Sequence, residues 1–237
     1  VFEGDFNPVR HAHVVTTTTH KTLRGPRGGA VLCVEEFAES VNKGCPLVIG
    51  GPLPHILASK AVAFTEANTP EFRAYARKIA DNAGVLAQAC IDEGLEISTG
   101  GTDNHLMLIN VTGFGLTGRQ AESVLRECGI TLNRNSLPYD ANGPWYTSGL
   151  RIGTPAVTTL GMGAAEMKEI ASIIKRVLAN TRPATVDSGP NAGKPSKAKY
   201  DIDDAVKTAA RARVADLLGA YPVYPQLDLA LLRKHFG

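Results

Sequence analysis

VVTTTTHKTLRGPRGG, residues 14–29, is the stretch on which the reading of this chain turns. It opens with six successive β-branched residues, which favour an extended backbone. The run gives out at His20 and Lys21, where a strand passes into a loop and a lysine can face a cleft. Arg24, Arg27 and the pair Gly28-Gly29 follow at once, so fixed positive charge and permissive backbone lie within one short loop of the amine. Such a loop suits an anion site beside a nucleophile.

The chemistry that uses this combination is condensation of a lysine amine with a carbonyl compound that also bears a phosphate. A free lysine, with a pKa of ~10.4, is protonated at neutral pH and needs desolvation or neighbouring cations to become nucleophilic. Arg24 and Arg27 supply part of that, and the threonine hydroxyls and glycine amides are candidate partners for phosphate oxygens and ring substituents. The same residues also describe a threonine-rich strand ending in a solvated basic turn. The local pattern leaves both readings open.

Two later stretches bear on the choice. In CPLVIGGPLPHILASK, residues 45–60, the Gly50-Gly51-Pro52 turn either brings backbone amides close to a ligand or opens a helix with proline in its first turn. In TSGLRIGTPA, residues 147–156, Arg151 stands between Leu150 and Ile152 in an apolar strand. An unpaired arginine is expensive there, so it needs an anion of some kind, which an internal salt bridge would supply.

THKTLRGPRGG, read with the VVTTTT before it, resembles the cofactor-lysine segment of the serine hydroxymethyltransferases, and the likeness runs without gaps. The SGLRIGTP and GGPL stretches are similar to segments of the same family. The resemblance implies that Lys21 carries pyridoxal 5'-phosphate covalently, that His20 lies beside it, that Thr18 shapes the pocket and that Arg27 adds positive potential. It implies further that Arg151 fixes the carboxylate of the amino-acid substrate and that Gly51 contacts the cofactor phosphate of a neighbouring subunit. Asn135 maps onto a position that meets the pterin of tetrahydrofolate, the cosubstrate. The reaction expected is the reversible conversion of serine and tetrahydrofolate to glycine and 5,10-methylenetetrahydrofolate, in a homodimer or higher homo-oligomer with shared active sites.

Two alternatives stand beside this reading. A pyridoxal-phosphate aldolase of 3-hydroxy amino acids would share Lys21 and Arg151 without a folate pocket. The resemblance also covers only the C-terminal half or so of the family. In the family the aspartate facing the pyridine nitrogen, the ring-stacking histidine, a glutamate for proton transfer and much of the phosphate loop belong to the preceding half. A piece inactive on its own is therefore the second alternative.

Composition is that of a soluble protein with apolar residues enough for a sizeable core, in one or two domains. A formal charge of +2 gives no electrostatic argument for nucleic acid or an anionic membrane as partner. No apolar run approaches the roughly 20 residues that span a bilayer, and no signal-peptide pattern opens the chain, so a cytoplasmic location is expected. Cys33, Cys45, Cys90 and Cys128 form no CxxC pair and have mostly apolar neighbours, which reads as buried free thiols. His11 and His13 alternate along a strand start, but no carboxylate or cysteine cluster completes a metal site, and none is expected.

Taken in order, the pattern predicts a short buried strand over 29–34, a helix over 35–43, an apolar helix from His55, and a long helix opening at Pro70 with Ile79, Ala83, Leu86 and Cys90 on one face. Strands over 95–99 and 105–111 follow, joined by GGTDN, in which Asp103 and His105 read as turn residue and strand flank. Thr117 caps a helix to residue 128 with Gln120 as capping-box partner, PYDANGPWY reads as an aromatic loop, and helices are expected over 164–179 and 203–218. TRPATVDSGPNAGKPSKAKY, residues 181–200, reads as an exposed insertion without periodicity. The expected class is α/β, of the fold-type I pyridoxal-phosphate transferase (aspartate-aminotransferase-like) kind. Residues 1–69 would end the large cofactor domain and 70–237 would form the small C-terminal domain.

Overall fold

The computed structural model describes residues 7–236 and divides the chain into two compact units, Val1–Lys78 and Ile79–Gly237. The division falls inside a helix that begins at Pro70, further along than the Thr69-Pro70 break itself. The opening residues 1–6 and Gly237 lie outside the described residues.

In the first unit, β1 (Val14–Thr18) and β2 (Gly29–Cys33) form an antiparallel ribbon with Val14 opposite Cys33 and Thr18 opposite Gly29. The helix α1 (Glu35–Ile49) carries Glu35 and Glu36 in its first turn, where the helix dipole favours negative charge. It runs through Gly44 and Pro46, past the expected end at residue 43, and stops where Gly50 takes a φ of 80°. The helices α2 (Pro54–Ala67) and α3 (Pro70–Asp92) follow, each opening on a proline that tolerates the first helical turn. Thr69 caps α3 by accepting the Phe72 N–H at 3.2 Å.

The expectation of a buried strand at 29–34 is corrected here. Ala30 and Cys33 are half-buried, but Val31 and Leu32 are exposed, because a ribbon of two strands offers too little surface to cover its own side chains. Among the described residues of this unit, Thr19 and Ala63 are the buried ones. Cys33 and Cys45 are accordingly half-buried rather than buried, and all four cysteines are free.

The second unit has a core. Its strands β3 (Glu96–Ile97), β4 (Leu106–Asn110), β5 (Asn133–Asn135) and β6 (Gly149–Gly153) make one antiparallel sheet in the order β3-β4-β6-β5. Only two residues of the expected strand at 95–99 pair. Met107 and Ile109 on β4 and Leu150 and Ile152 on β6 alternate onto one face, where they join Leu86 and Cys90 of α3 in a continuous apolar cluster. Burial pushes the Cys90 thiol up to about 12, with the nearby Glu93 adding to it, so this cysteine is inert at neutral pH.

The helices α4 (Gly118–Glu127) and α7 (Ala164–Ala179) close the core, with the short α5 (Gly143–Tyr146) and α6 (Pro155–Thr159) between them. The predicted capping box is present in full at Thr117 and Gln120, and α7 has the expected bounds. Thr154 and Asn82 tie the layers together: the Thr154 hydroxyl donates to Ile79 O at 2.7 Å, and Asn82 Nδ2 donates to the Thr158 hydroxyl at 2.9 Å.

Residues 181–200 are not a loose insertion. They fold as an antiparallel hairpin of β7 (Thr181–Thr185) and β8 (Pro195–Ile202), with Gly189 and Gly193 at positive φ in the connection. The helix α8 (Asp204–Ala220), capped by Asp203, packs on α7 and holds it by a two-pronged Arg213–Glu169 ion pair at 2.6 and 2.8 Å. The helix α9 (Leu229–Phe236) follows. No helix among the described residues is long and apolar enough to cross a membrane.

Candidate functional site

Where β1 ends, the chain turns through residues 19–28 before β2 begins, and backbone bonds close that loop on itself. Thr19 N–H donates to Gly28 O at 3.0 Å, Gly25 N–H to Thr19 O at 2.8 Å and Arg24 N–H to Lys21 O at 2.9 Å. Thr19 is fully buried, and its hydroxyl donates to Pro26 O at 2.7 Å. A Cβ on Gly25 would stand 2.7 Å from Thr19 O, so the closure depends on glycine. From α2, Lys60 Nζ donates to Gly29 O at 2.8 Å and clasps the base of the loop. His20 is half-buried with Nδ1 3.2 Å from Gly28 O, where a protonated Nδ1 donates.

Lys21 and Arg27 are exposed, and neither side chain has a hydrogen-bond or ion-pair partner among the described residues. Arg24 differs. It sits at a φ of 58° with its guanidinium over the Tyr75 ring, 4.0 Å from the centroid. The anion cradle expected from glycine amides and threonine hydroxyls is only partly there. Gly25 N–H is turned to Thr19 O, Gly28 N–H faces His20 Nδ1 at 3.4 Å, and the Thr19 hydroxyl is engaged by Pro26. The groups left open among the described residues include the Lys21 ammonium, the Arg27 guanidinium and the exposed Thr18 and Thr22. This set fits covalent attachment of a carbonyl group at Lys21, with phosphate contacts drawn from outside the loop. Gly51 lies in the turn between α1 and α2, with open space where a side chain would be.

In the second unit, strand alternation corrects the reading of Arg151. Leu150 and Ile152 point into the core, and Arg151 points out and is exposed, so no burial cost forces an anion on it. Its Nη2 donates to Asn133 Oδ1 at 3.3 Å across the β5–β6 pair, where the two residues are register partners. It forms no ion pair among the described residues. Asn135 lies further along β5, with Nδ2 donating to Ser136 O at 2.7 Å. His105, just before β4, has its pKa held below the usual value by burial first and by the Arg151 charge second.

Sequence reasoning missed Asp140 as the organiser of the PYDANGPWY loop. Its carboxylate accepts from Leu137 N–H at 3.0 Å, Asn142 N–H at 2.8 Å, Ser148 N–H at 2.7 Å and the Ser148 hydroxyl at 2.7 Å. Burial pushes this carboxyl up, but the bonds from Ser148, Asn142 and Leu137 outweigh it and hold the pKa below the usual carboxylate range. An aspartate among turn residues is the signal that pointed to it. Thus Thr18, His20, Lys21 and Arg27 share one loop or its edge in the first unit. Asn135 and Arg151 lie on paired strands of the second, and Gly51 stands apart from the Lys21 loop in sequence.

Residues 3–174 match the family model described as "Serine hydroxymethyltransferase". The chain belongs to the serine hydroxymethyltransferase family. The serine hydroxymethyltransferase of Treponema pallidum (strain Nichols) is 57% identical over 236 residues, covering 100% of this chain and 40% of the relative. That of Salinispora tropica is 55% identical over 228 residues, 96% of this chain and 47% of the relative. That of Chlamydia trachomatis serovar L2 is 53% identical over 232 residues, 98% of this chain and 46% of the relative. The chain therefore spans under half the length of these serine hydroxymethyltransferases. The family match ends at residue 174, ahead of the β7–β8 hairpin, whereas the Treponema pallidum alignment takes in essentially the whole chain.

Proposed function

We propose that this chain is the cofactor-lysine and small-domain part of a fold-type I serine hydroxymethyltransferase, converting serine and tetrahydrofolate reversibly to glycine and 5,10-methylenetetrahydrofolate. The observation that carries the reading is Lys21, an exposed amine with no partner among the described residues, on a loop locked by its own backbone bonds, in a chain of this family. Residues 1–69 would then complete the large domain and 70–237 form the small one, in the cytoplasm and in a homodimer or larger assembly.

Lys21 would hold pyridoxal 5'-phosphate covalently. When bound, that cofactor supplies an electron-withdrawing ring that takes up the charge left as a bond to the amino acid's α-carbon breaks. The loop's own contribution is rigidity, because the Thr19, Gly25 and Lys60 bonds fix the backbone that carries the amine. Arg27 would add positive potential in the same loop, and Thr18 and His20 would shape its edge. Arg151 would grip the substrate carboxylate by two parallel hydrogen bonds, with Asn133 orienting the guanidinium. Fixing the carboxylate selects which α-carbon bond is aligned for cleavage. Asn135 would meet the pterin, and Gly51 the phosphate held by a neighbouring subunit.

Borohydride reduction of the cofactor-loaded enzyme followed by peptide mass spectrometry tests the reading. Attachment at Lys21, lost in Lys21→Ala, is expected; attachment elsewhere, or surviving that substitution, overturns it. Arg151→Lys should weaken serine binding much more than cofactor binding, and an equal loss of both would remove Arg151 from its role.

A further inference from the structure

The hairpin at 181–202 has no part in the reaction proposed above, yet it is bonded to both ends of α4. Gln120, fully buried in α4, donates from Nε2 to Ser196 O and to Lys199 O, each at 2.7 Å. The Thr117 hydroxyl lies 2.8 Å from Lys197 O and donates to it. The residues of the α4 capping box therefore also hold β8. At the other end of the helix the Tyr200 hydroxyl donates to Glu127 Oε1 at 2.6 Å. These bonds fix the strand that carries Lys197 against α4.

From β8, Lys197 reaches the PYDANGPWY loop. Its Nζ donates to Asn142 Oδ1 at 3.4 Å and lies 5.8 Å from the Tyr146 ring centroid. Asn142 Nδ2 passes the contact on to the Ser148 hydroxyl at 3.1 Å, and Ser148 is bonded to Asp140 and directly precedes β6. Arg119 of α4 and Arg134 of β5 stand over Trp145, at 5.3 and 5.5 Å from its ring centroid. The loop is thus held between β8, α4 and β5, and it leads straight into the strand of Arg151.

We propose that the β7–β8 hairpin is a brace for the 137–148 loop, with Lys197 as its positioning residue, setting the paired strands β5 and β6 that bear Asn135 and Arg151. A brace explains why a segment outside the family match is bonded to the capping box of α4 rather than left loose in solvent. The consequence for substrate rests on the carboxylate role proposed for Arg151; the brace itself does not.

Trp145 is the sole tryptophan of the sequence, so its fluorescence reports the loop without a label. In the 237-residue chain, Lys197→Ala should lower the steady-state anisotropy of Trp145 and raise its acrylamide quenching constant, with the urea midpoint unchanged, and Lys197→Arg should restore both. Lys43→Ala removes an exposed ion pair with Glu39 on α1, which shares no residue with the brace, and should leave both readings at the wild-type level. Wild-type anisotropy and quenching in Lys197→Ala overturn the brace, as does an equal change in Lys43→Ala. Arg151→Gln touches no brace contact and should keep wild-type fluorescence. A failure of the Arg151 reading, seen as unaltered serine binding in Arg151→Gln, is therefore separate from a failure of the brace.

Discussion

The two units of this chain are stabilised in different ways. In the first, order comes from local hydrogen bonds: the Lys21 loop closes on itself, and large apolar side chains such as Leu47, Val48 and Ile49 are 86%, 83% and 77% exposed. In the second, order comes from burial, with strand residues such as Ile109 and Leu150 and helix residues such as Ile174 wholly withdrawn from water. A loop locked by its own backbone can hold an exposed amine such as Lys21 in place without a core beneath it. A side chain presented outward from a sheet needs the core, because the strand that carries Arg151 is positioned by Leu150 and Ile152 inward.

The sharpest way to break that contrast is truncation of paired positions. Leu150→Ala should lower the unfolding free energy of the second unit by about 2–5 kcal/mol, whereas Val48→Ser should stay within about 0.5 kcal/mol, both read from urea midpoints. Similar losses at both would mean that the first unit has a core of its own. A milder comparison uses glycine. Gly118→Ala places a methyl 2.5 Å from Gly149 O and against the Thr147 hydroxyl, and should cost about 1–3 kcal/mol. Gly51→Ala meets nothing within 4 Å and should leave the midpoint unchanged.

Smaller again is Thr19→Val, which removes the hydroxyl bond to Pro26 O and leaves that carbonyl short of a donor. A loss of about 0.5–1.5 kcal/mol is expected, confined in hydrogen exchange to the amides of the 19–28 loop. Exchange that quickens across α3 instead would show that the loop is not an independent unit.

The last prediction is electrostatic. The Asp140 carboxyl is held below its usual value in the fold, so its contribution is present above the unfolded pKa near ~3.9 and is lost as pH falls through the folded one. Trp145 fluorescence should therefore be constant from neutral pH down to the ordinary carboxylate range and change only below it; Asp140→Asn should abolish that step. His105 works in the same sense at higher pH. Its folded pKa is lowered, so stability is full above ~6.5 and declines as pH falls below that value. Arg151→Gln should move the His105 titration upward in NMR, since one of the two causes of the shift is gone.

Much of this was legible in the residues themselves. The β-branched run before Lys21, the Thr117–Gln120 box and the helix at 164–179 each follow from local rules, and the structure keeps them. Arg151 was misjudged because its apolar neighbours were read as surroundings, when period-two alternation places them on the other face. The hairpin was misread because Pro, Gly, Ser and Lys dominate its composition. The alternation in SKAKYDI, with Ser196, Ala198, Tyr200 and Ile202 half-buried and the residues between them exposed, carried the strand signal. What no local rule could give is its partner, since β8 is held by side chains far back in the chain.

That distance has a consequence for the order of events as the chain is made. The carbonyls that satisfy the Gln120 amide lie 76 and 79 residues downstream, and the one that satisfies the Thr117 hydroxyl lies 80 downstream. On the ribosome, α4 emerges well before β8 exists, and a buried amide with no acceptor is costly. The face of α4 around Gln120 must therefore stay wet until the hairpin has been synthesised, so the second unit is sealed from its C-terminal side and late.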